Sequence, residues 1–140
     1  MVEALEIATE QIKKDEGLSL MPYDCTAGVL TIGYGRAIGI NGITEDEAET
    51  LLVNDVTVAA NDARQYLGDT AFEALNPERQ AVLINMAFNL GLSRLRQFVK
   101  LRAAILDGDW QEASTQMLSS KWADQVKGRA IRLAEIMCAD

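Results

Sequence analysis

Apolar residues at Leu5, Ala8 and Ile12 step by three and four, the spacing of one helical face, and the next step of that stripe lands on Glu16. This pattern predicts a helix over roughly Val2 to Asp15, stopped at Gly17, with Glu16 as a carboxylate on the inward face of the last turn. The period then shortens. From Val29 to Gly35 the chain alternates as a strand does, with Leu30, Ile32 and Tyr34 on one face and Thr31, Gly33 and Gly35 on the other. A hairpin turning at Gly28 places Cys25 and Thr31, three residues to either side, opposite each other.

Helical spacing resumes after Asn41-Gly42. Thr44 with Glu47 three residues on is a capping box, and Ile43 is placed to staple onto Ala48. The helix they open runs through Leu51, Leu52, Asp55, Val58, Ala59 and Ala63 to about Leu67, where Gly68 stops it. It is long for a globular helix and reads as a link between two lobes. Asn76-Pro77 starts another helix, with Asn as cap and Pro in the first turn. That helix, Arg79 to Leu90, is apolar on nearly all sides and is expected as the buried axis of the larger lobe. Shorter pieces follow at Ser93 to Arg96, Phe98 to Leu106, Trp110 to Leu118 and Gly128 to Met137, with Phe98, Leu101, Ile105, Trp110, Met117 and Trp122 read as core.

The expected fold class is α+β, mainly helical, with one small antiparallel sheet near the N-terminus. It is organised as a single domain over residues 1–140: a β lobe at about 17–43, a connecting helix at about 44–67, and a helical lobe at about 68–140 that also takes the first helix.

Composition narrows the function. The 140 residues are 49% apolar, enough for a real core. No run approaches a membrane span and no signal peptide is visible, so synthesis in the cytosol is expected. Two cysteines, Cys25 and Cys138, do not make a disulfide scaffold, and the absence of His removes His triads and His metal sites. Neither a metal nor a cofactor is expected. The net charge of −8 is uneven: residues 1–78 carry 4 basic and 15 acidic side chains, residues 79–140 carry 9 and 6. The acidic total argues against a nucleic-acid binder.

The chemistry concentrates in Asp15 to Arg36, where ionisable, nucleophilic and hydroxyl side chains mix with glycines. Burial and the negative end of the helix dipole both favour the protonated form of Glu16, which suits a general acid. The nearly bare face of the second strand lets a ligand approach its backbone. Asn85 and Asn89, four apart on the central helix, read as hydrogen-bonded core amides.

Together these residues resemble the lysozymes of tailed bacteriophages, the muramidases of glycoside hydrolase family 24. That family is marked by a Glu, eight residues, an Asp or Cys, five residues, then a Thr, and here Glu16, Cys25 and Thr31 stand at that spacing. The flanking Asp15-Glu16-Gly17-Leu18, Tyr23 and Thr31-Ile32-Gly33-Tyr34-Gly35 match as well. So do Ile43-Thr44 with Asp46 to Glu49, Ile84 to Phe88, Trp110, Trp122 and Gly128-Arg129-Ala130. The resemblance implies a lysozyme-like fold, with Glu16 as proton donor, Cys25 and Thr31 holding the attacking water, and Arg129 steadying the acid by pairing with it. Phe88 matches an aromatic that lines the cleft. Gln116 stands where a sugar-contacting Asn is found, and Leu101 replaces a Ser whose contact does not carry over.

Many inverting glycosidases use two carboxyls about 6.5–9.5 Å apart, and the family implies an inverting outcome. Cys25 takes the place of the second carboxyl. It is partly thiolate and assists the water, or it positions the water with Thr31, or Asp24 supplies the charge; strand alternation turns Asp24 away if Cys25 faces in. A small hydrophobe under the sheet is the plain alternative for Cys25, and a surface helix cation for Arg129.

The implied function is an endolysin that hydrolyses the β-1,4 bond between N-acetylmuramic acid and N-acetylglucosamine of peptidoglycan and lyses the host. It waits in the host cytoplasm, reaches the periplasm through a holin pore, and works on glycan strands as a monomer. The alternative is a weakly active or silent wall-binding or phage tail module on the same scaffold.

Overall fold

A computed structural model describes residues 1–140. In chain order the elements are α1 (Val2–Glu16), β1 (Ser19–Asp24), β2 (Leu30–Gly33), α2 (Ile38–Asn41), α3 (Glu45–Leu67), α4 (Asp69–Ala74), α5 (Pro77–Leu90), α6 (Leu92–Leu95), α7 (Val99–Leu106), α8 (Trp110–Leu118), α9 (Lys121–Val126) and α10 (Gly128–Cys138). This is the mainly helical α+β architecture with one two-stranded antiparallel sheet that the pattern predicts. No helix is long and apolar enough to cross a membrane. The chain divides into two compact units, Met1–Thr50 and Leu51–Asp140, with the boundary inside α3. α1 falls in the first unit with the hairpin.

In the first unit, α1 stops where glycine allows it: Gly17 takes a left-handed φ of 70° and its N–H donates to Lys13 O at 3.0 Å. The apolar stripe of α1 is not covered. None of its residues is buried, and Leu5 and Ile12 are both exposed. The strands pair Tyr23 with Thr31 and Asp24 with Leu30, so the hairpin is centred on residue 27. After β2 the chain loops back on itself, Ile32 and Arg36 exchanging both backbone hydrogen bonds at 2.9 Å. α2 then lies against β2, close enough that a Cβ on Gly39 would come within 3.2 Å of Leu30 Cβ. The capping box at the start of α3 forms as read: Thr44 Oγ1 accepts from Glu47 N at 3.1 Å, and Glu47 Oε1 accepts from Thr44 N at 2.8 Å.

The second unit holds the apolar core. α5 buries Val82, Leu83, Met86, Ala87 and Leu90 in it and packs against α10 and α6, while Ala81, Phe88 and Asn89 stay exposed on its other side. Its Asn76 cap accepts from Arg79 N at 2.8 Å. Leu101, Ile105, Met117 and Trp122 are buried as expected, while Phe98 and Trp110 are partly buried against the core. Arg79 is the one cation drawn inside. Its guanidinium lies 3.8 Å from the centre of the Trp110 ring and donates to Met137 O at 2.9 Å and Ala139 O at 2.6 Å, satisfying carbonyls at the end of α10. The short helices α2, α4 and α9 have no counterpart in the sequence reading.

Candidate active site

In the first unit, Glu16 is the last residue of α1, and its carboxylate rests against Gly35: a Cβ built there would lie 2.8 Å from Glu16 Oε2 and 2.9 Å from Cδ. A side chain at residue 35 would push that carboxylate aside. The positive φ of 76° at Gly35 is a second reason for glycine at the position. A second contact joins the same two segments, with Lys13 Nζ 5.6 Å from the centre of the Tyr34 ring. Glu16 itself is exposed, which corrects the burial expected from its place on the stripe. The stripe identifies an apolar face of α1, but nothing in the first unit is large enough to cover it.

Cys25 and Thr31 are also brought together, by a geometry one step away from the expected one. The turn Cys25–Gly28 closes with Gly28 N donating to Cys25 O at 2.8 Å, and Cys25 N donates to Val29 O at 3.0 Å. Because the centre is residue 27 and not 28, Thr31 pairs directly with Tyr23 and meets Cys25 diagonally, across one residue of the same face. The Cys25 thiol is held below its ordinary pKa. The backbone N–H groups of Val29 and Ala27 contribute most, burial opposes them, and the Thr31 hydroxyl and Gly28 N–H add further stabilisation of the thiolate. Asp24 pairs with Leu30, on the opposite face.

Thr31 departs from expectation in one respect. It was placed with the glycines on an open, ligand-facing side, yet it is the buried member of β2, at 4% exposure, while Leu30 is exposed. Its hydroxyl donates to Val29 O at 2.8 Å. The alternation holds at Leu30 and Thr31 with the apolar side outward, and it ends at Gly33, where the chain leaves the strand and turns back.

The remaining candidates lie in the second unit. Arg129, in the first turn of α10, donates from Nε and Nη2 to Asn85 Oδ1 at 2.8 and 2.6 Å. Asn85 is thus a structural acceptor, as is Asn89, whose Oδ1 accepts from Trp122 Nε1 at 2.8 Å. Phe88 is nearly half exposed on α5. Gln116 donates to Glu112 Oε1 at 2.7 Å and lines a groove of about 520 Å³, alongside Leu101 and Trp122. Arg94, Lys100 and Lys121 make that groove basic; Phe88 and Arg129 lie outside its lining. Both cysteines are free thiols.

One feature of the first unit was not legible as a site. Arg36 grips Glu47 with both terminal nitrogens, Nη1 to Oε1 at 3.0 Å and Nη2 to Oε2 at 2.7 Å, and Nη1 also donates to Gly42 O at 3.1 Å. Glu47 is held at about 2, first by the Arg36 hydrogen bonds and then by those of Thr44. Arg36 is raised by the same partner. Glu47 had been recognised only as a helix cap, and the two residues stand eleven positions apart.

A helical lobe, a long helix and an acid seated over a glycine-rich hairpin are the scaffold of a lysozyme-type protein. The chain belongs to the phage lysozyme family, whose model matches residues 13–134; this is a family of glycoside hydrolases acting on peptidoglycan. Over 91% of its length the chain is 32% identical to the pre-baseplate central spike protein Gp5 of Enterobacteria phage T4, of which it spans only 27%. It is 28% identical to the probable T4-type lysozyme 2 of Dictyostelium discoideum, covering 97% of this chain and 94% of that one. An endolysin of Acyrthosiphon pisum secondary endosymbiont phage 1 is 29% identical over 80% of this chain and 74% of its own.

Proposed function

We propose that the chain hydrolyses the β-1,4 bond between N-acetylmuramic acid and N-acetylglucosamine in peptidoglycan, with inversion at the anomeric carbon. The observation that carries this reading is the first unit's hairpin: it presents a carboxylate against Gly35 and a thiol with depressed pKa beside a hydroxyl. Glu16 gives its proton to the leaving oxygen. Water attacks from the far side of the ring and passes a proton to the Cys25 thiolate, beside the Thr31 hydroxyl. The N–H groups around the sulfur lower its pKa and so support a base role, beside which a thiol that positions the water with Thr31 stays open. Asp24, paired with Leu30 on the other face, is not needed.

Phe88 and Gln116 contacting the glycan, release through a holin pore, action as a monomer and lysis of the host belong to the same proposal. A tail-borne lysozyme module is the second reading, favoured by the identity to a stretch of the T4 central spike protein.

Turbidity loss of permeabilised Gram-negative cells tests the central claim. Glu16→Gln is expected to fall by about 10²-fold or more, the scale of a lost general acid. Cys25→Ser is expected to fall less, because a hydroxyl still positions the water. Parental activity in Glu16→Gln would remove Glu16 from the chemistry.

A further inference from the structure

The acid of the proposed reaction does not sit on a rigid core. It rests on a loop, Gly33-Tyr34-Gly35, in which both glycines adopt positive φ, and Gly35 is the residue in contact with the carboxylate. Such a loop has few conformational restraints of its own. What brackets it is the pair of backbone hydrogen bonds between Ile32 and Arg36. The Arg36 side chain then leaves the loop and ends on the first turn of α3, where one guanidinium spans the Glu47 carboxylate and the Gly42 carbonyl. Glu47 cannot swing freely, because its Oε1 also accepts from Thr44 N in the capping box. The chain of contacts therefore runs from α3, through the fork, to the loop and so to the carboxylate of Glu16.

We propose that Arg36 is a positioning residue for the acid: its bidentate grip on Glu47 fixes the loop on which the Glu16 carboxylate is seated. The inference rests on the reading of Glu16 as proton donor. The pair is about two-fifths exposed on each side, and an ion pair in that setting adds little to stability. Its effect is geometric: the planar fork sets direction as well as distance, which a lysine ammonium cannot do.

The test is steady-state hydrolysis of uncrosslinked glycan strands, read as new reducing ends, with kcat and KM separated. Glu47→Gln is the informative variant, since glutamine keeps the capping box while removing the charge from the fork. Both Arg36→Ala and Glu47→Gln are expected to lower kcat by about ten- to a hundredfold, the scale of a misplaced reacting group. KM should stay within about twofold, the pattern of an interaction that matters in the transition state. Arg36→Lys should fall between the parent and Arg36→Ala, and the double variant should be no worse than Arg36→Ala alone. Thermal unfolding of Glu47→Gln should match the parent. Unchanged kcat in Arg36→Ala and Glu47→Gln, or a change confined to KM, overturns the positioning role. A parent that releases no reducing ends, or a Glu16→Gln variant as fast as the parent, instead overturns the hydrolase reading and this inference with it.

Discussion

The two units are built on different physics. Every buried apolar side chain, from Ala59 to Met137, lies in Leu51–Asp140, whereas Met1–Thr50 buries only the Thr31 hydroxyl residue. The larger unit is held by apolar packing among its helices, most extensively α8 with α10 and with α7. The smaller one is held by a capping box, a guanidinium fork, a tight turn and glycines in left-handed conformations. Directional contacts of this kind aim side chains well and contribute little stability each. The proposed chemistry belongs to the smaller unit, Glu16, Cys25 and Thr31 all lying on segments that hydrogen bonds orient. Regions with few buried apolar contacts open most easily, and binding loops are drawn from them.

That contrast predicts a separation of stability from activity. The largest effect should come from Leu83→Ala, which empties a fully buried site on α5 and should destabilise the protein by about 2–5 kcal/mol. Denaturant unfolding measures this loss, and activity per folded molecule should stay near the parent's. A proportionate fall in the activity of the folded fraction would break the contrast. Gly35→Ala should do the reverse. Its Cβ would collide with the Glu16 carboxylate, so activity should drop about tenfold or more, the cost of displacing a catalytic group. The left-handed backbone adds roughly 1–2 kcal/mol of strain. An active Gly35→Ala enzyme would show that the seat under Glu16 is dispensable.

The smallest effect concerns Cys25. A thiol whose folded pKa is depressed adds stability that is fully present above its unfolded pKa, about 8.5, and disappears as pH falls through the folded value. Alkylation of Cys25 as a function of pH should therefore show a lower midpoint in the native protein than in denaturant. Equal midpoints would mean that the turn's N–H groups do not stabilise the thiolate, and the water-activating role would pass to another group.

Legibility followed the range of the interaction. The starts of α3 and α5 were readable because Thr44 and Asn76 cap N–H groups three residues away. The stops at Gly17 and Gly68 were readable for a similar reason, since each needs a positive φ at one position. The hairpin was readable as a hairpin, but its centre was off by one residue, because the turn's closing bond, Gly28 N to Cys25 O, has several near-equivalent placements in Cys-Thr-Ala-Gly-Val. The exposure of Glu16 and the burial of Thr31 were misread because periodicity shows that two faces differ without showing which one is covered.

What the sequence determined by itself was the order of the longer elements, the apolar run of α5 and the spacing of Glu16, Cys25 and Thr31, all of which depend on neighbours within a turn or two of chain. What only the tertiary structure decided was where those groups point: the carboxylate on Gly35, the thiol among backbone N–H groups, and Arg36 on Glu47. Those placements bring together residues separated by up to nineteen positions. No local pattern encodes such a meeting, because it depends on how the loop between them closes.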